Sequence, residues 1–306
     1  MLSTSAKSDL LLVAVTLLAA VGWIFSKEAL MGVPPLLFIA IRFFGAGVVL
    51  AGFGIKPLMA LDRRGLARTA GVGVTFGAAM CFWILGLHYA THIGVGAFLT
   101  SLGVVMVPIV AIAFGEKPVA STWAALPVAA TGLACLSLDS QFHMGFGEVS
   151  FLIAAVLFAF MFNLNTRAAA KTSTIALSAI QLMVVGVVAL PVSLLIEDWG
   201  HVSVSADIWG WVLASIFIAT SLRFFMQTWA QSLASASNAA VIMTLEPVWT
   251  AILAAFWFDE TMSGLQMWGC AFIFGALIVG RWRNVRSMVR ALLPKKAVHS
   301  DNNLHY

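Results

Sequence analysis

Charged side chains are scarce in this sequence, and their scarcity excludes most protein classes. Asp, Glu, Lys and Arg make up 10% of the 306 residues, while 61% of the residues are hydrophobic. Soluble domains carry about 25% charged residues. Together with a mean hydropathy of +0.98, this composition excludes a soluble fold and predicts an integral membrane protein.

Cysteine is also rare, and the short motifs of several enzyme classes are missing. Cys81, Cys135 and Cys270 all fall in apolar segments, and an odd number there argues against a disulfide framework. The sequence contains no His-Glu-x-x-His motif, no Gly-x-Ser-x-Gly motif and no phosphate-binding loop of the Walker type. We therefore expect no enzymatic activity, no cofactor and no ATP-driven transport.

Ten apolar segments are long enough to cross a bilayer, because about 20 residues of helix span the hydrocarbon core. In chain order they are Asp9–Ala29, Pro35–Ile55, Ala67–Tyr89, Gly94–Phe114, Pro118–Leu138, Gly147–Arg167, Thr174–Ile196, Asp207–Trp229, Asn238–Phe258 and Ser263–Trp282. We predict an all-α polytopic membrane protein with ten transmembrane helices.

The two halves of the chain repeat each other. The segments Ala40-Ile41-Arg42 and Gly47-Val48-Val49 return as Ala179-Ile180-Gln181 and Gly186-Val187-Val188, a shift of 139 positions. Because each half holds five spans, an odd number, the second half must enter the bilayer from the opposite side. We therefore predict two inverted five-helix repeats, at residues 1–139 and 140–282, followed by a basic cytoplasmic tail at residues 283–306.

Basic residues lie on one side of the predicted membrane. With the amino terminus in the cytoplasm, 14 of the 17 Lys and Arg residues fall in cytoplasmic segments and the other three lie within spans. We therefore place both termini in the cytoplasm of a bacterial-type plasma (inner) membrane. The net charge of +4 reflects this asymmetry, so we expect contact with lipid headgroups and no nucleic-acid partner. The loops left outside carry acids instead, namely Asp139, Glu148, Glu197, Asp198, Asp259 and Glu260.

Several motifs resemble the EamA-type, ten-helix branch of the drug/metabolite transporter superfamily. They are Gly22-Trp23 with Lys27, Pro34-Pro35 leading to Arg42, and Leu245-Glu246-Pro247-Val248 followed by Asp259-Glu260. The resemblance implies two repeats around a central cavity lined mainly by helices 1, 3, 4, 6, 8 and 9. It also implies transport, with substrates that range over amino acids, choline-like cations, nucleotide sugars and vitamins. The sequence departs from the pattern in its first repeat, where Leu102-Gly103 takes the place of Glu246-Pro247.

Two charged residues in the second repeat are the main candidates for a gate. A charge at the bilayer centre costs roughly 2.5 to 3.5 kcal/mol on insertion scales, so each one needs a reason. By helix rise, Arg223 lies roughly 9 Å and Glu246 roughly 12 Å from the cytoplasmic ends of helices 8 and 9, which allows an ion pair. The pair is either a gate, opened by a proton or a substrate carboxylate, or a permanent salt bridge between helices. Glu246 could otherwise cap backbone groups near Pro247.

Two further cations lie closer to the outer surface. Arg42 either steers a charged solute, snorkels to lipid headgroups or packs against another helix. Lys27 either pairs with the adjacent Glu28 or attracts an anionic group at the mouth of the cavity.

Tryptophan and uncharged polar residues within spans complete the candidate site. Trp23, Trp83 and Trp249 lie away from most helix ends and either face a solute or pack between helices. Thr100, Asn163 and Gln227 either bind a polar solute or join neighbouring helices. His88 and His92 have helical i, i+4 spacing but no evident acidic or thiol ligand nearby, so we expect no metal site.

These features together predict a secondary transporter of a small polar or amphipathic metabolite that works by alternating access. Efflux of an amino acid or a related metabolite is the preferred direction, on the resemblance alone. The alternatives are import of a vitamin or nutrient on the same fold, and a channel or receptor without alternating access. The expected partners are a small-molecule substrate, the lipid bilayer and protons as a coupling ion, with the chain acting as a monomer or homodimer.

Overall fold

The structure is a computed structural model that describes residues 4–89, 93–137, 145–200, 205–257 and 264–280. Within these ranges the regular structure is helical throughout, and no strand occurs. The helices are α1 (Thr4–Ala29), α2 (Pro35–Phe53), α3 (Ile55–Met59), α4 (Arg63–Tyr89), α5 (Ile93–Ala113), α6 (Ala120–Ser137), α7 (Phe146–Ala169), α8 (Thr174–Ile196), α9 (Ala206–Ala214), α10 (Arg223–Leu233), α11 (Ala236–Met243), α12 (Glu246–Trp257) and α13 (Gly264–Gly280). A π-helical segment, Ser215–Leu222, interrupts the α-helical hydrogen-bond register between α9 and α10, while the helical run continues from one to the other.

Several helical runs have the length and composition of membrane spans. In the described part of the chain, six meet this criterion: Thr4–Ala29, Pro35–Phe53, Arg63–Gly86, Phe146–Ala169, Thr174–Ile196 and Ala206–Leu233. Three shorter apolar runs, Leu99–Ala113, Ala120–Cys135 and Met267–Gly280, accompany them. The chain is thus an all-α polytopic membrane protein, as the composition predicts.

The helices end where the backbone chemistry of the sequence requires it. Pro35 occupies the first turn of α2, where its missing N–H costs nothing. After α5, Gly115 adopts a left-handed φ of 80°, and the N–H groups of Gly115 and Glu116 close on the carbonyls of Ile112 and Ala111. This is a Schellman motif, which favours glycine at the left-handed position.

Helices α2 and α8 cross at the centre of the repeated sequence. A Cβ atom on Gly47 would lie 2.8 Å from the Ala179 carbonyl oxygen, and one on Gly186 would lie 2.9 Å from the Ala40 carbonyl oxygen. Ala40 precedes Ala179 by the same 139 positions that separate Gly47 from Gly186. The contact is therefore reciprocal. Gly47 of α2 lies against Ala179 of α8, and Gly186 of α8 lies against Ala40 of α2, the counterpart of Ala179.

The buried apolar side chains form two main clusters. One lies around α2, α4 and α8 and includes Phe43, Phe76 and Phe224. The other joins α1, α5 and α11 and includes Leu12 and Ile242. Within the first cluster, the ring centroids of Phe76 and Phe224 lie 5.3 Å apart, a distance typical of stabilising aromatic pairs. This aromatic packing holds the start of α10 in place.

Candidate functional site

Arg223 and Glu246 form an ion pair between two interrupted helical runs. Arg223 is the first residue of α10, directly after the π-helical segment, and Glu246 is the first residue of α12, after a break at Thr244 and Leu245. Nη2 of Arg223 lies 3.2 Å from Oε2 of Glu246, and the two side chains are 17% and 25% exposed. The structure thus brings the two predicted gate residues into direct contact.

Both residues lie deeper than the sequence suggested. Arg223 is ten residues from Leu233, where α10 ends, and Glu246 is ten residues from Ala236, where α11 begins. At about 1.5 Å per residue, each lies roughly 15 Å from the end of its helical run. The predicted spans that end at Trp229 and begin at Asn238 were too short. The polar residues after Trp229 still form a turn of helix, and α11 begins at Ala236.

The guanidinium of Arg223 is held on one side and incompletely satisfied on the other. Its Cζ atom lies 4.7 Å from the centroid of the Phe224 ring, a cation–π distance. Only Nη2 reaches Glu246, by a single hydrogen bond. Its buried Nε atom has no hydrogen-bond partner. An unpaired buried donor of this kind costs free energy in a low-dielectric site.

Arg42 projects from α2 towards α1 and the π-helical segment. Its Nε donates to Oγ1 of Thr220 at 2.5 Å, its Nη1 to Oγ of Ser26 at 2.8 Å, and its Nη2 to the carbonyl oxygen of Ala219 at 3.3 Å. All three acceptors are uncharged. The geometry therefore favours the helix-packing interpretation of Arg42 over snorkelling to lipid.

The π-helical segment makes the carbonyl of Ala219 available to Arg42. The N–H of Arg223 donates to the carbonyl of Ile218, five residues earlier, whereas an α-helix would direct it to Ala219. The hydroxyl of Ser221 likewise donates to the carbonyl of Ile216, five residues back, at 2.7 Å. Sequence reasoning missed this segment, and the polar pair Thr220-Ser221 was its only local signal.

Gly22, in the Gly22-Trp23 motif, lies at a close helix crossing. A Cβ atom at this position would lie 2.8 Å from Cβ of Ala219 and 3.4 Å from Nη2 of Arg42. Helix α1 therefore crosses the π-helical segment at a point where any larger side chain would push them apart. The carbonyl of Gly22 also accepts from Ser26, at 2.6 Å, which orients the Ser26 hydroxyl towards Arg42.

The three charges at the centre of this site do not balance. Arg42 bonds to Thr220 and Ala219, which lie three and four residues before Arg223 on the same helical run. Among the residues that the structure describes, Arg42 has no carboxylate at ion-pair distance, and Glu246 pairs with Arg223 alone. These three side chains, two guanidinium groups and one carboxylate, together carry a formal charge of +1.

The predicted tryptophans separate into two places. The rings of Trp23 and Trp83 meet edge to face, with centroids 5.8 Å apart, and Trp23 is 43% exposed. Trp249 instead lies against Phe274 of α13, at 6.3 Å, and its buried Nε1 atom has no hydrogen-bond partner. The tryptophans thus provide an aromatic pair in one place and an unpaired indole N–H donor in another.

The uncharged candidates differ in their surroundings. Nδ2 of Asn163 donates to the carbonyls of Val107 at 3.1 Å and Ala159 at 2.9 Å, which joins α7 to α5. Oγ1 of Thr100 and Oε1 of Gln227 are buried and have no hydrogen-bond partner. Thr100 and Gln227 therefore each keep an unpaired polar atom, while Asn163 uses its donors within the fold.

A cavity of about 220 Å³ opens where α5, α7 and α11 meet. Arg167 lines it and donates to the carbonyl of Phe114 at 2.9 Å. Glu116, also in its wall, accepts from the backbone N–H of Ser237 at 3.2 Å. The remaining lining residues are Gly115, Asn163, Thr166 and Ala236.

The other sequence candidates do not line this cavity. Lys27 lies in the last turn of α1, and the neighbouring Glu28 accepts from Nε1 of Trp257 at 3.4 Å. The side chain of His88 and the whole of His92 lie outside the described residues. In the ranges that are described, no group of three His, Cys, Asp or Glu residues is placed to hold a metal ion.

Comparison with known proteins places this architecture among transporters. The model of the EamA-like transporter family matches residues 6–138 and 145–280. An "Uncharacterized transporter" of Archaeoglobus fulgidus is 24% identical over 277 residues, which cover 89% of this chain and 85% of that protein. Another from the same organism is 24% identical over 194 residues, covering 63% of this chain and 68% of that protein. One crystal structure matches with a TM-score of 0.78 at 18% identity, over 92% of this chain and 99% of the other, which is a likeness of fold.

Proposed function

Because the chain belongs to the EamA-like transporter family, we propose that it moves a small polar or amphipathic metabolite across the membrane by alternating access. The observation that carries this proposal is the Arg223–Glu246 ion pair, which joins two helical runs at their interruptions. Interrupted helices with polar groups at mid-membrane are how many secondary transporters build a binding site. Efflux of an amino acid or a related metabolite is the direction we infer.

We infer ten crossings arranged as two inverted repeats. The family match has two parts of similar length, residues 6–138 and 145–280. The reciprocal contacts of Gly47 and Gly186 support the inversion, because a two-fold relation requires each half to make the contact that the other half receives. In this arrangement α9, the π-helical segment and α10 form one crossing, and α11 with α12 forms another.

The ion pair would act as a gate between these two crossings. While Glu246 holds Arg223, α12 is tied to α10. When a proton or a ligand takes Glu246 from Arg223, the tie is released and these two crossings of the second repeat can move relative to each other, which permits the change between inward-facing and outward-facing states. Truncating one partner strands the other charge in the site, which is costly.

The basic residues orient the transporter. With both termini in the cytoplasm of a bacterial-type inner membrane, the cavity beside Arg167 and Glu116 opens to the cytoplasm. Its wall reaches Asn163, one helical turn closer to the membrane centre than Arg167. This gives a metabolite a path inward from the cytoplasmic side, as efflux requires.

Counterflow in proteoliposomes tests the proposal. Vesicles containing the purified chain are loaded with an excess of each unlabelled amino acid in turn, and uptake of the labelled compound is followed. A transporter accumulates label transiently and saturably, whereas protein-free vesicles do not. Conductance without saturation or counterflow would indicate a channel.

Glu246→Gln tests the gate. We expect it to abolish counterflow while the protein still reaches the membrane, because Arg223 loses its partner. Asp207→Asn is the matched control, since it neutralises an exposed acid in the first turn of α9. Wild-type counterflow in the Glu246→Gln protein would refute the gate.

A further inference from the structure

We propose that the transported ligand carries a carboxylate that replaces Glu246 on Arg223; this inference rests on the transport function proposed above. Arginine binds carboxylates best through two parallel N–H donors. Glu246 uses one of them, at 3.2 Å, and leaves the buried Nε–H of Arg223 without a partner. A ligand carboxylate could take both Nε and Nη2 and so satisfy the orphaned donor.

The charge of the site supports an anionic ligand. Arg42 and Arg223 contribute two positive charges and Glu246 one negative charge, and Arg42 makes its hydrogen bonds to uncharged acceptors only. Charges in a low-dielectric region are stable when they are balanced. A monoanionic ligand would bring the site to neutrality, whereas a cationic ligand would raise its charge to +2.

A second orphaned donor lies close along the chain. Trp249 follows Glu246 by three residues in α12, so the two side chains lie on the same face of the helix. The buried Nε1–H of Trp249 has no partner. Since indole nitrogen can only donate, this group also fits an acceptor such as a carboxylate oxygen.

Aromatic side chains lie near the charged groups and bear on the rest of the ligand. The guanidinium of Arg223 lies on the ring of Phe224, which packs against Phe43 and Phe76. The exposed ring of Trp23 meets Trp83. Phe43, Phe76 and Phe224 are buried in the core and hold Arg223 in place, so the exposed ring of Trp23 is the surface that favours an apolar or aromatic body on the ligand.

Competition for Arg223 links ligand binding to the gate. In the empty site Glu246 occupies Arg223 and ties α12 to α10. The arriving carboxylate forms its hydrogen bonds to Arg223 as Glu246 leaves, so loading the site also releases the tie. Glu246 is then a competitor of the ligand, and removing its charge should strengthen binding even though it disables the gate.

Thermal-shift titrations of the purified full-length chain test this inference. The probes are matched acid and amide pairs, namely phenylacetate with phenylacetamide and L-phenylalanine with L-phenylalaninamide, together with a panel of amino acids and 2-oxo acids. A ligand that binds the native state raises the unfolding temperature. We expect acids from this set to stabilise the protein and their amides to have no effect.

Two variants examine Arg223 and Glu246 separately. Arg223→Lys keeps the charge but loses the paired donors, so acid affinity should fall by roughly 10- to 100-fold. Glu246→Gln should raise it by roughly tenfold if Glu246 otherwise holds Arg223 about nine-tenths of the time. Arg68→Lys, at an exposed position in α4, should leave the affinity unchanged.

The outcomes separate this inference from the transport function. Equal stabilisation by acids and amides, no stabilisation by any acid of the panel, or weaker acid binding in the Glu246→Gln protein would each overturn the carboxylate inference. Counterflow of solutes that lack a carboxylate would overturn it while supporting transport. Failure of the vesicles to accumulate any solute from a cell metabolite extract would count against transport itself.

Discussion

Arg42 donates a hydrogen bond to the carbonyl of Ala219 at 3.3 Å, because the π-helical segment directs the N–H of Arg223 to Ile218 instead. The change in backbone register therefore does two things at once. It provides Arg42 of α2 with an acceptor on the helical run that carries Arg223. It also sets the direction in which the Arg223 side chain projects from that run. π-Helical turns often occur at functional sites.

Arg42→Lys should destabilise the protein. The Arg42 guanidinium reaches three acceptors on α1 and the π-helical segment, and a single ammonium nitrogen cannot reproduce that fork. We expect a loss of about 1 to 3 kcal/mol in the free energy of unfolding, seen as a lower unfolding temperature in detergent. Arg68→Lys is the control. Equal unfolding temperatures of the two variants would contradict the structural role of Arg42.

Gly47→Ala and Gly186→Ala should destabilise the protein by similar amounts. Each new Cβ atom would meet a backbone carbonyl of the facing helix at less than 3.0 Å, so α2 and α8 must move apart. Overpacking of this kind costs about 1 to 3 kcal/mol. Gly52→Ala, on the same helix as Gly47 but with open space around it, should be neutral or slightly stabilising.

The comparison between the two glycines is itself informative. If α2 and α8 form a reciprocal crossing, the two variants should lower the unfolding temperature to a similar extent. A large effect from one and none from the other would show that the crossing is not equivalent in the two halves.

Composition and internal repetition were enough to predict the class of fold and the main charged residues. Arg223 and Glu246 stand out because a charge in an apolar helix is conspicuous whatever its neighbours. The match at 139 positions identified Gly47 and Gly186, although not that each lies against the other's helix. These features depend on residue type and spacing, which the sequence states directly.

Other features depend on geometry that no residue type signals. A π-helical segment differs from an α-helix by one residue in its hydrogen-bond register, and Ser215–Leu222 has an ordinary apolar composition. The donors of Asn163 are used by the backbone of α5 and α7, which only the packing of these helices reveals. Glu197, predicted as an outer-loop acid, lies directly after α8, and its contact with the start of α2 could not be read from the sequence.

Glu197→Gln should destabilise α2. The carboxylate of Glu197 accepts from the backbone N–H groups of Leu36 at 2.7 Å and Leu37 at 2.9 Å, in the first turn of that helix. A negative charge at a helix N-terminus stabilises unpaired N–H groups and the helix dipole. We expect a loss of about 0.5 to 2 kcal/mol, measured by thermal unfolding in detergent.

Asp198→Asn is the neighbouring control for this substitution. Asp198 accepts from the N–H of Gly200 in an exposed turn, so its neutralisation should change the unfolding temperature less. A larger effect from Asp198→Asn than from Glu197→Gln would show that the cap of α2 contributes little to stability.

Membrane potential should act on the empty site and not on the site loaded with a monoanion. The empty site carries one net positive charge from Arg42, Arg223 and Glu246, and moving one charge across the membrane is worth about 2.3 kcal/mol per 100 mV. During net efflux the empty site must return to the inward-facing state. An inside-negative potential favours that return, because it moves the positive charge inward.

Phenylpyruvate is a suitable probe, since its strongly acidic carboxyl keeps the membrane-permeant neutral fraction small. In proteoliposomes with a potassium diffusion potential, an inside-negative voltage should accelerate net efflux of phenylpyruvate. Exchange of internal for external phenylpyruvate should be unaffected, because exchange never requires the empty site to move. Protein-free vesicles correct for leak. Net efflux that does not respond to voltage would show that the empty site returns without net charge. This would be the case if a cation left together with the anion, or if Arg42 paired with a second carboxylate.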